Sequence, residues 1–218
     1  MVGILLVHGF AGTREEIKPL YDFLCDKGYD VSVPLLAGHE GTLKELSMSK
    51  YKHWIDSVEE EYVKLSEKRE SIIVIGFSMG GLVAVNLYQK YKFDGLITIN
   101  TPVYYWDVKR ILKNLYSDFS AYSKKYFQSS SNKPIPALLE FQKLLSKTKP
   151  LFKNIGCNAL VIQTQDDDTV NPKSAEYIFA HLNGIKQILK PKSGGHIVFQ
   201  SNDYSQLLDS INEFVEKF

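Results

Sequence analysis

The chain has 218 residues, of which 44% are hydrophobic and 23% are charged, and this composition fits one domain with a sizeable core. A formal net charge of +1 provides no overall attraction to polyanions, so no nucleic-acid partner is expected. The two cysteines, Cys25 and Cys157, are far apart in sequence and match no metal-binding spacing, which favours a reduced cytoplasmic protein over a disulfide scaffold.

The amino-terminal residues do not have the pattern of an export signal. The apolar run at residues 4–7 is too short for the hydrophobic region of a signal peptide, and no basic residue precedes it. No segment approaches the apolar length that a membrane-spanning helix needs. We therefore expect a cytoplasmic protein without stable membrane insertion. The sequence does not indicate its oligomeric state.

Short β-branched runs alternate with amphipathic helical segments along most of the chain. This alternation is typical of an open, mostly parallel α/β sheet with helices on both faces. The predicted strands, in chain order, are residues 4–7, 29–33, 72–75, 96–99, 159–163 and 186–189. The predicted helices are residues 15–27, 50–68, 82–91, 174–182 and 204–218.

One segment, at about residues 103–150, interrupts this alternation. It contains no convincing strand, but it has helical patterns at residues 108–116 and 137–146, separated by a polar turn or loop at residues 128–134. An insertion after the fourth strand would lie over the carboxyl edge of the sheet, where open α/β folds bind their ligands. We therefore expect residues 1–218 to form a single domain with a small helical cap at residues 103–150.

The five residues from Gly76 to Gly80 read G-x-S-x-G and follow the predicted strand at residues 72–75 directly. In such a strand-to-helix turn the serine has a strained backbone and an exposed hydroxyl, which makes Ser78 a candidate nucleophile. Any side chain at either glycine would collide with the crossing strand and helix. The alternative is a glycine-serine turn that only connects the two elements.

The loop after the first strand is the usual place for half of an oxyanion hole. It reads H-G-F-A-G-T from His8, and its glycines let backbone N–H groups point toward the serine. Phe10 would supply one N–H group, and Met79, the residue after the nucleophile, would supply the other. Met79 also begins a helix, whose positive end favours an anion. We interpret His8 as a structural residue that holds this loop.

Two further loops carry the acid and the base that a serine nucleophile needs. Three aspartates at positions 166–168 follow the fifth strand, and the sequence pattern does not distinguish between them. They lack the ligand spacing of a calcium-binding EF-hand loop. His196 lies on a glycine loop after the last strand and completes the order serine, acid, histidine. A surface or capping role would be the alternative for this histidine.

These motifs, taken together, resemble those of α/β-hydrolases, in particular the small bacterial carboxylesterase and monoacylglycerol lipase group. The segments that carry the resemblance are H-G-F-A-G-T, P-L-L-A-G-H-E-G-T, Y-K-H-W-I-D, G-F-S-M-G-G, D-D-D-T-V-N-P and S-G-G-H. The resemblance implies Asp167 as the acid, Phe10 and Met79 as the oxyanion hole, and the insertion as a cap. It also implies about six strands, because the first hairpin of larger members is missing. The loop before His196 contains two glycines, Gly194 and Gly195, where members of this group usually have one.

The resemblance implies hydrolysis of carboxylic esters through an acyl-enzyme on Ser78, with a small-molecule ester as substrate and no metal or organic cofactor. A thioesterase or another acyl transfer could use the same triad. A non-catalytic ligand-binding protein of this fold is the alternative outside the enzymes.

The predicted cap is basic and rich in aromatic residues. Residues 103–150 contain nine Lys and Arg residues against three Asp and Glu residues, a net charge of +6. Its aromatic side chains either line a pocket for an apolar acyl chain or form the cap's own small core. The charge would attract acidic amphiphiles. The candidate substrate-binding residues are Phe10, Tyr104, Tyr105, Trp106 and Phe119.

Overall fold

Six parallel strands form one sheet in the computed structural model, which describes residues 2–104, 135–201 and 204–218. Their order in the sheet is β2-β1-β3-β4-β5-β6, and every neighbouring pair is parallel. The predicted fold class is therefore confirmed. The strands are β1 (Gly3–Val7), β2 (Asp30–Ser32), β3 (Ile72–Phe77), β4 (Gly95–Ile99), β5 (Asn158–Ile162) and β6 (Lys186–Leu189).

Helices cover both faces of this sheet. The α-helices of the described residues are α1 (Lys18–Asp26), α2 (Leu43–Met48), α3 (Tyr51–Ser66), α4 (Met79–Lys90), α5 (Ile135–Thr148), α6 (Lys173–His181) and α7 (Ser205–Val215). Short 3₁₀ helices span Arg14–Ile17, Lys149–Asn154 and Val198–Gln200. Side chains of α1 and α7 pack in the core on one face, and those of α3 to α6 pack in the core on the other. Strands β1, β3 and β4 are buried throughout, which explains their continuous apolar sequences.

Most element bounds differ from the predicted ones by one to three residues, and two differences have a clear local cause. The first predicted helix begins as the 3₁₀ helix Arg14–Ile17, and α1 begins at Lys18. Pro19 lies in the first turn of α1, where its missing N–H group costs no hydrogen bond. The short helix α2 was not predicted, although Thr42 and Glu45 form a capping box at its start. The predicted patterns at residues 108–116 and 128–134 lie outside the described residues.

The carboxyl ends of the central strands meet at one edge of the sheet. Val7 of β1 pairs with Gly76 of β3, and Phe77 of β3 pairs with Ile99 of β4, which in turn pairs with Ile162 of β5. The loops that follow these strands therefore lie side by side. In the described part of the chain, no helix is both long and apolar enough to cross a bilayer.

Close packing at the β3–α4 turn requires glycine at Gly76 and Gly80. A Cβ atom on Gly76 would lie 2.3 Å from the backbone nitrogen of Gly81, and one on Gly80 would lie 2.2 Å from the carbonyl oxygen of Val7. Both contacts are with backbone, which cannot move aside as a flexible side chain can. The steric argument for the glycines of the G-x-S-x-G element is therefore confirmed.

We expect Gly80→Ala to lower the free energy of unfolding by about 2 kcal/mol or more, because α4 must move away from β1. The direction of the change in stability is informative, because replacing glycine by alanine inside a helix normally stabilises a protein by about 1 kcal/mol. Gly156→Ala is the control, because a Cβ atom there would lie 3.7 Å from the Tyr88 hydroxyl, an ordinary van der Waals contact. Urea unfolding followed by circular dichroism measures both variants. An unchanged midpoint for Gly80→Ala would contradict the packing argument.

Candidate active site

Ser78 lies at the sharp turn between β3 and α4. Its backbone has φ 51° and ψ −120°, a conformation that is costly for a residue with a side chain. Its N–H group donates a hydrogen bond to the carbonyl oxygen of Ile99, at 2.8 Å, which ties the turn to the end of β4. The buried strand and helix on either side keep the backbone in this strained conformation. The hydroxyl of Ser78 therefore lies at the carboxyl edge of the sheet.

A continuous hydrogen-bonded chain connects Ser78, His196 and Asp167. The Oγ atom of Ser78 lies 3.1 Å from Nε2 of His196, and Nδ1 of His196 lies 2.9 Å from Oδ2 of Asp167. A carboxylate oxygen only accepts hydrogen bonds, so Nδ1 carries the ring proton and donates a hydrogen bond to Asp167. In the neutral ring Nε2 is then the acceptor for the Ser78 hydroxyl. The side chain of His196 is 17% exposed, whereas that of Asp167 is 0% exposed.

The loop after β5 holds the carboxylate of Asp167 in one orientation. The backbone N–H groups of Thr169 and Val170 both donate to Oδ1, each at 2.8 Å, and this leaves Oδ2 directed at His196. The neighbouring aspartates have other roles. Asp166 accepts hydrogen bonds from the N–H groups of Gly194 and Gly195, at 3.2 and 2.9 Å.

The glycine loop before His196 is held from several sides. Gly194 and Gly195 have φ 141° and 62°, which L side chains rarely adopt, so both glycines are required by the backbone. The carbonyl oxygen of Gly195 accepts from the hydroxyl of Thr164, at 2.6 Å. The second glycine, which departs from the usual pattern, is thus compatible with the contact between His196 and Ser78.

Asn100 is a site residue that sequence reasoning missed. Its amide Nδ2 donates to the carbonyl oxygens of Gly195, at 3.1 Å, and His196, at 2.7 Å. Its Oδ1 accepts from the N–H group of Thr164, at 2.9 Å, so one buried side chain joins the end of β4, the end of β5 and the histidine loop. Its φ of 48° is a value that asparagine tolerates better than most residues. The feature of the sequence that could have indicated Asn100 is its position as a polar residue directly after a buried strand.

The loop after β1 passes close to Ser78, as expected for an oxyanion loop. A Cβ atom on Gly9 would lie 3.3 Å from Cβ of Ser78. The Phe10 ring is buried and stacks on Phe141 of α5, with centroids 5.1 Å apart. Met79 is the first residue of α4, where backbone N–H groups have no partner within the helix.

His8, the first residue of this loop, and His39 are both buried. Nδ1 of His8 contacts the carbonyl oxygen of Gly9 at 2.9 Å, in keeping with a structural role, and the His39 ring lies edge-on to it at 5.2 Å. Burial lowers the pKa of His8 to about 4 and that of His39 to about 3. Both rings are therefore neutral near pH 7.

The other candidate substrate-binding residues are only partly described. The Tyr104 ring lies edge-on to Tyr177, with centroids 5.8 Å apart, and Nζ of Lys149 lies 4.3 Å from its centroid. Tyr105, Trp106 and Phe119 lie outside the described residues. Within the described ranges, no group of three or more His, Cys, Asp or Glu side chains could hold a metal ion.

Charge at the site favours the protonated form of His196. Burial acts to lower the pKa of His196, but the hydrogen bond and the negative charge of Asp167 outweigh it, with smaller contributions from Glu16 and Asp168. The net result is a pKa above the ordinary value for histidine. The imidazole is thus a stronger base than a free histidine.

If neutral His196 is the base, kcat/KM for ester hydrolysis should rise with pH through one ionisation with a midpoint above about 6.5. The sign follows from the raised pKa: as pH falls through it, the ring gains a proton and can no longer accept one from Ser78. His8 and His39 cannot supply this midpoint, because they titrate several units lower. Initial rates from pH 5 to 9 measure it, and a flat profile would contradict the assignment.

Comparison with known proteins places the chain in a family. The family model for the PGAP1-like alpha/beta domain matches residues 28–180. The chain belongs to the PGAP1-like alpha/beta domain family. The matched part of this family domain contains Ser78 and Asp167 and ends before His196.

Relatives extend the match over nearly the whole chain. The chain is 29% identical to a thermostable monoacylglycerol lipase of Bacillus sp. (strain H-257), and the alignment covers 99% of this chain and 91% of the lipase. It is 25% identical to a carboxylesterase of Bacillus subtilis (strain 168), with 98% and 92% covered. A solved structure from work on the metagenome-derived lipolytic enzymes LipS and LipT superposes with a TM-score of 0.84 at 23% identity, covering 100% and 94%. The predicted resemblance to the α/β-hydrolase esterase and lipase group is confirmed.

Proposed function

We propose that this member of the PGAP1-like alpha/beta domain family is a serine hydrolase that cleaves carboxylic esters. The observation that carries the proposal is the hydrogen-bonded chain from Ser78 through His196 to Asp167, which begins at a strained turn. A serine, an imidazole and a buried carboxylate in this order activate a hydroxyl for attack on a carbonyl carbon. The names of the bacterial relatives, a lipase and a carboxylesterase, support esters as the substrate class.

In the acylation step, Oγ of Ser78 attacks the ester carbonyl carbon while Nε2 of His196 accepts the hydroxyl proton. Asp167 stabilises the imidazolium cation that forms. The cation then donates this proton to the departing alkoxide, so that the alcohol leaves and the acyl group remains on Ser78. In the second step, Nε2 of His196 removes a proton from a water molecule, whose oxygen attacks the acyl carbon. The imidazolium then returns this proton to Oγ of Ser78 as the bond from Oγ to the acyl carbon breaks and the carboxylic acid leaves.

The negative charge on the carbonyl oxygen needs donors that are already in place. We assign this role to the backbone N–H groups of Phe10 and Met79. The close approach of Gly9 to Ser78 and the position of Met79 at the first turn of α4 support the assignment. In related chemistry, losing one such donor costs about 10²- to 10³-fold in kcat.

We further propose that residues 103–150 form a cap on a single domain, as the sequence predicted. In support, α5 packs against α2, α3 and α4, and its Phe141 stacks on Phe10, which follows Gly9 in the loop that passes close to Ser78. These two rings would give one side of the site an apolar wall suited to an acyl chain.

The unpaired state of Cys25 and Cys157 supports a reduced, cytoplasmic setting.

A fluorophosphonate probe and a substrate panel test the proposed function together. The probe should modify Ser78, as peptide mapping by mass spectrometry would detect. The panel should contain p-nitrophenyl esters of increasing acyl length, a monoacylglycerol and a matched thioester. We expect turnover of short and medium esters. The absence of both an adduct and turnover in folded protein would exclude an esterase, and a strong preference for the thioester would make the protein a thioesterase.

A further inference from the structure

Gln163 contacts the carboxylate of the Ser78–His196–Asp167 chain from inside the protein. It directly follows β5 and is 0% exposed. Its side-chain Nε2 donates to Oδ2 of Asp167 at 3.0 Å, and this is the same oxygen that lies 2.9 Å from Nδ1 of His196. Its backbone N–H group donates to the carbonyl oxygen of Leu189, so the residue is fixed between the ends of β5 and β6.

The orientation of the Gln163 amide follows from its neighbours. Nε2 faces Oδ2 of Asp167 and also lies 3.3 Å from the carbonyl oxygen of Thr164. Both neighbours are acceptors, so the donor end of the amide must face them; the reversed amide would place Oε1 against a negative oxygen. In the observed orientation, Oε1 is buried and has no hydrogen-bond partner in the described part of the chain.

This unpartnered oxygen makes Gln163 costly as a packing residue. A buried polar atom without a hydrogen bond costs about 1–3 kcal/mol, whereas methionine or leucine would fill a similar volume without that cost. Buried polar groups retained at such a cost are often found at functional sites. The contact with Asp167 therefore calls for a role beyond filling space.

We propose that Gln163 is a positioning residue whose amide shares Oδ2 of Asp167 with His196. This hydrogen bond orients the carboxylate and weakens the interaction of the carboxylate with the imidazole. The inference rests on the proposed function, since it concerns the acid of that triad. Hydrogen bonds to an ionised carboxylate spread its charge over more donors and make it a weaker partner for each of them. The Gln163 amide on Oδ2 adds to the neutral donors on Asp167 that Thr169 and Val170 supply to Oδ1.

Besides Asp167, other carboxylates act on His196 or lie near its loop. Glu16 from the 3₁₀ helix Arg14–Ile17 and Asp168 on the same loop as Asp167 both act on the ring. Asp166 is bonded to the backbone N–H groups of Gly194 and Gly195. Gln163→Met leaves these carboxylates and their charges in the sequence, so a shift in the titration of His196 is expected to report the lost amide contact.

The test compares Gln163→Met with wild-type protein. Without the amide, Oδ2 loses one neutral donor and interacts more strongly with His196, so the pKa of His196 should rise by about 0.5 to 1 unit. The acidic limb of kcat/KM should shift upward by the same amount, with a smaller change at pH 9. The control is Gln165→Met, because the Gln165 amide donates to the carbonyl oxygen of Lys190 and not to Asp167. The His196 titration is followed by NMR of ¹⁵N-labelled histidine, which requires no turnover.

The NMR readout separates this inference from the proposed function. If no ester is hydrolysed but the pKa of His196 shifts in Gln163→Met, the esterase proposal fails and the positioning role stands. An unchanged or lowered pKa in folded Gln163→Met would overturn the positioning role. Gln163→Asn, whose shorter amide withdraws from Oδ2, should shift the pKa in the same direction. If neither variant folds, the side-chain amide resonances of Gln163 in the wild-type protein test the positioning role. These resonances should shift with pH at the midpoint of His196, and resonances that stay constant would overturn the role.

Discussion

Ser78→Ala should lower kcat for ester hydrolysis by about 10⁴- to 10⁶-fold, because the variant lacks the atom on which the acyl-enzyme forms. The fold should be retained. Alanine has the same backbone cost as serine at φ 51°, and the N–H bond from residue 78 to Ile99 does not involve the side chain. Substrate binding to the remaining site should change little, so the loss should appear in kcat rather than in KM.

Steady-state kinetics on a short p-nitrophenyl ester, with a thermal unfolding curve for each protein, measures this prediction. Ser210→Ala is the matched control, because its hydroxyl donates a hydrogen bond within α7, to the carbonyl oxygen of Gln206 at 2.9 Å. We expect the control to retain wild-type turnover and the fluorophosphonate adduct. Turnover of Ser78→Ala within tenfold of wild type would mean that another residue is the nucleophile.

The turn at Ser78 could be predicted from sequence because its constraints are local. A buried strand, a sharp turn and a helix follow within a few residues, and the crossing leaves no room for a Cβ atom at Gly76 or Gly80. Such steric requirements are visible as glycines at fixed spacing. The parallel sheet could be predicted for a similar reason, since strands buried on both faces need continuous apolar runs.

The residues that orient His196 and Asp167 could not be predicted in this way. Asn100 lies 96 positions from His196 and contacts its carbonyl oxygen, and no local pattern marks such a pair. Gln163 is closer in sequence to Asp167, but its amide could equally have faced solvent. Amide side chains have no charge and form no motif with fixed spacing, so their role depends on the three-dimensional arrangement.

The helix α2 shows a different limit. Its six residues are too few for apolar periodicity to indicate a helix, and its stability depends on the capping box between Thr42 and Glu45 and on packing against α5. The three adjacent aspartates present a similar difficulty. Local pattern treats them alike, and only the position of the histidine loop makes Asp167 the one bonded to His196.

Asp167→Asn should lower kcat by about 10³- to 10⁴-fold, far more than the same change at Asp166 or Asp168. The reason is the direction of the hydrogen bonds. Oδ1 of Asp167 accepts two backbone N–H groups, so the amide oxygen of the asparagine must take that position. Its NH₂ group then replaces Oδ2 and donates to Nδ1 of His196. The imidazole is forced into the tautomer that carries its proton on Nε2, which cannot accept a proton from Ser78.

The neighbouring aspartates provide the controls for this prediction. An asparagine at position 166 can still accept from the N–H group of Gly195 through its oxygen, and one at position 168 can still accept from the Thr169 hydroxyl. We therefore expect losses of about tenfold or less in either variant, measured as kcat at pH 8. NMR of labelled histidine should show the proton on Nε2 in Asp167→Asn and on Nδ1 in both controls. If Asp166→Asn or Asp168→Asn caused the largest loss, Asp167 would not be the residue that orients His196 during turnover.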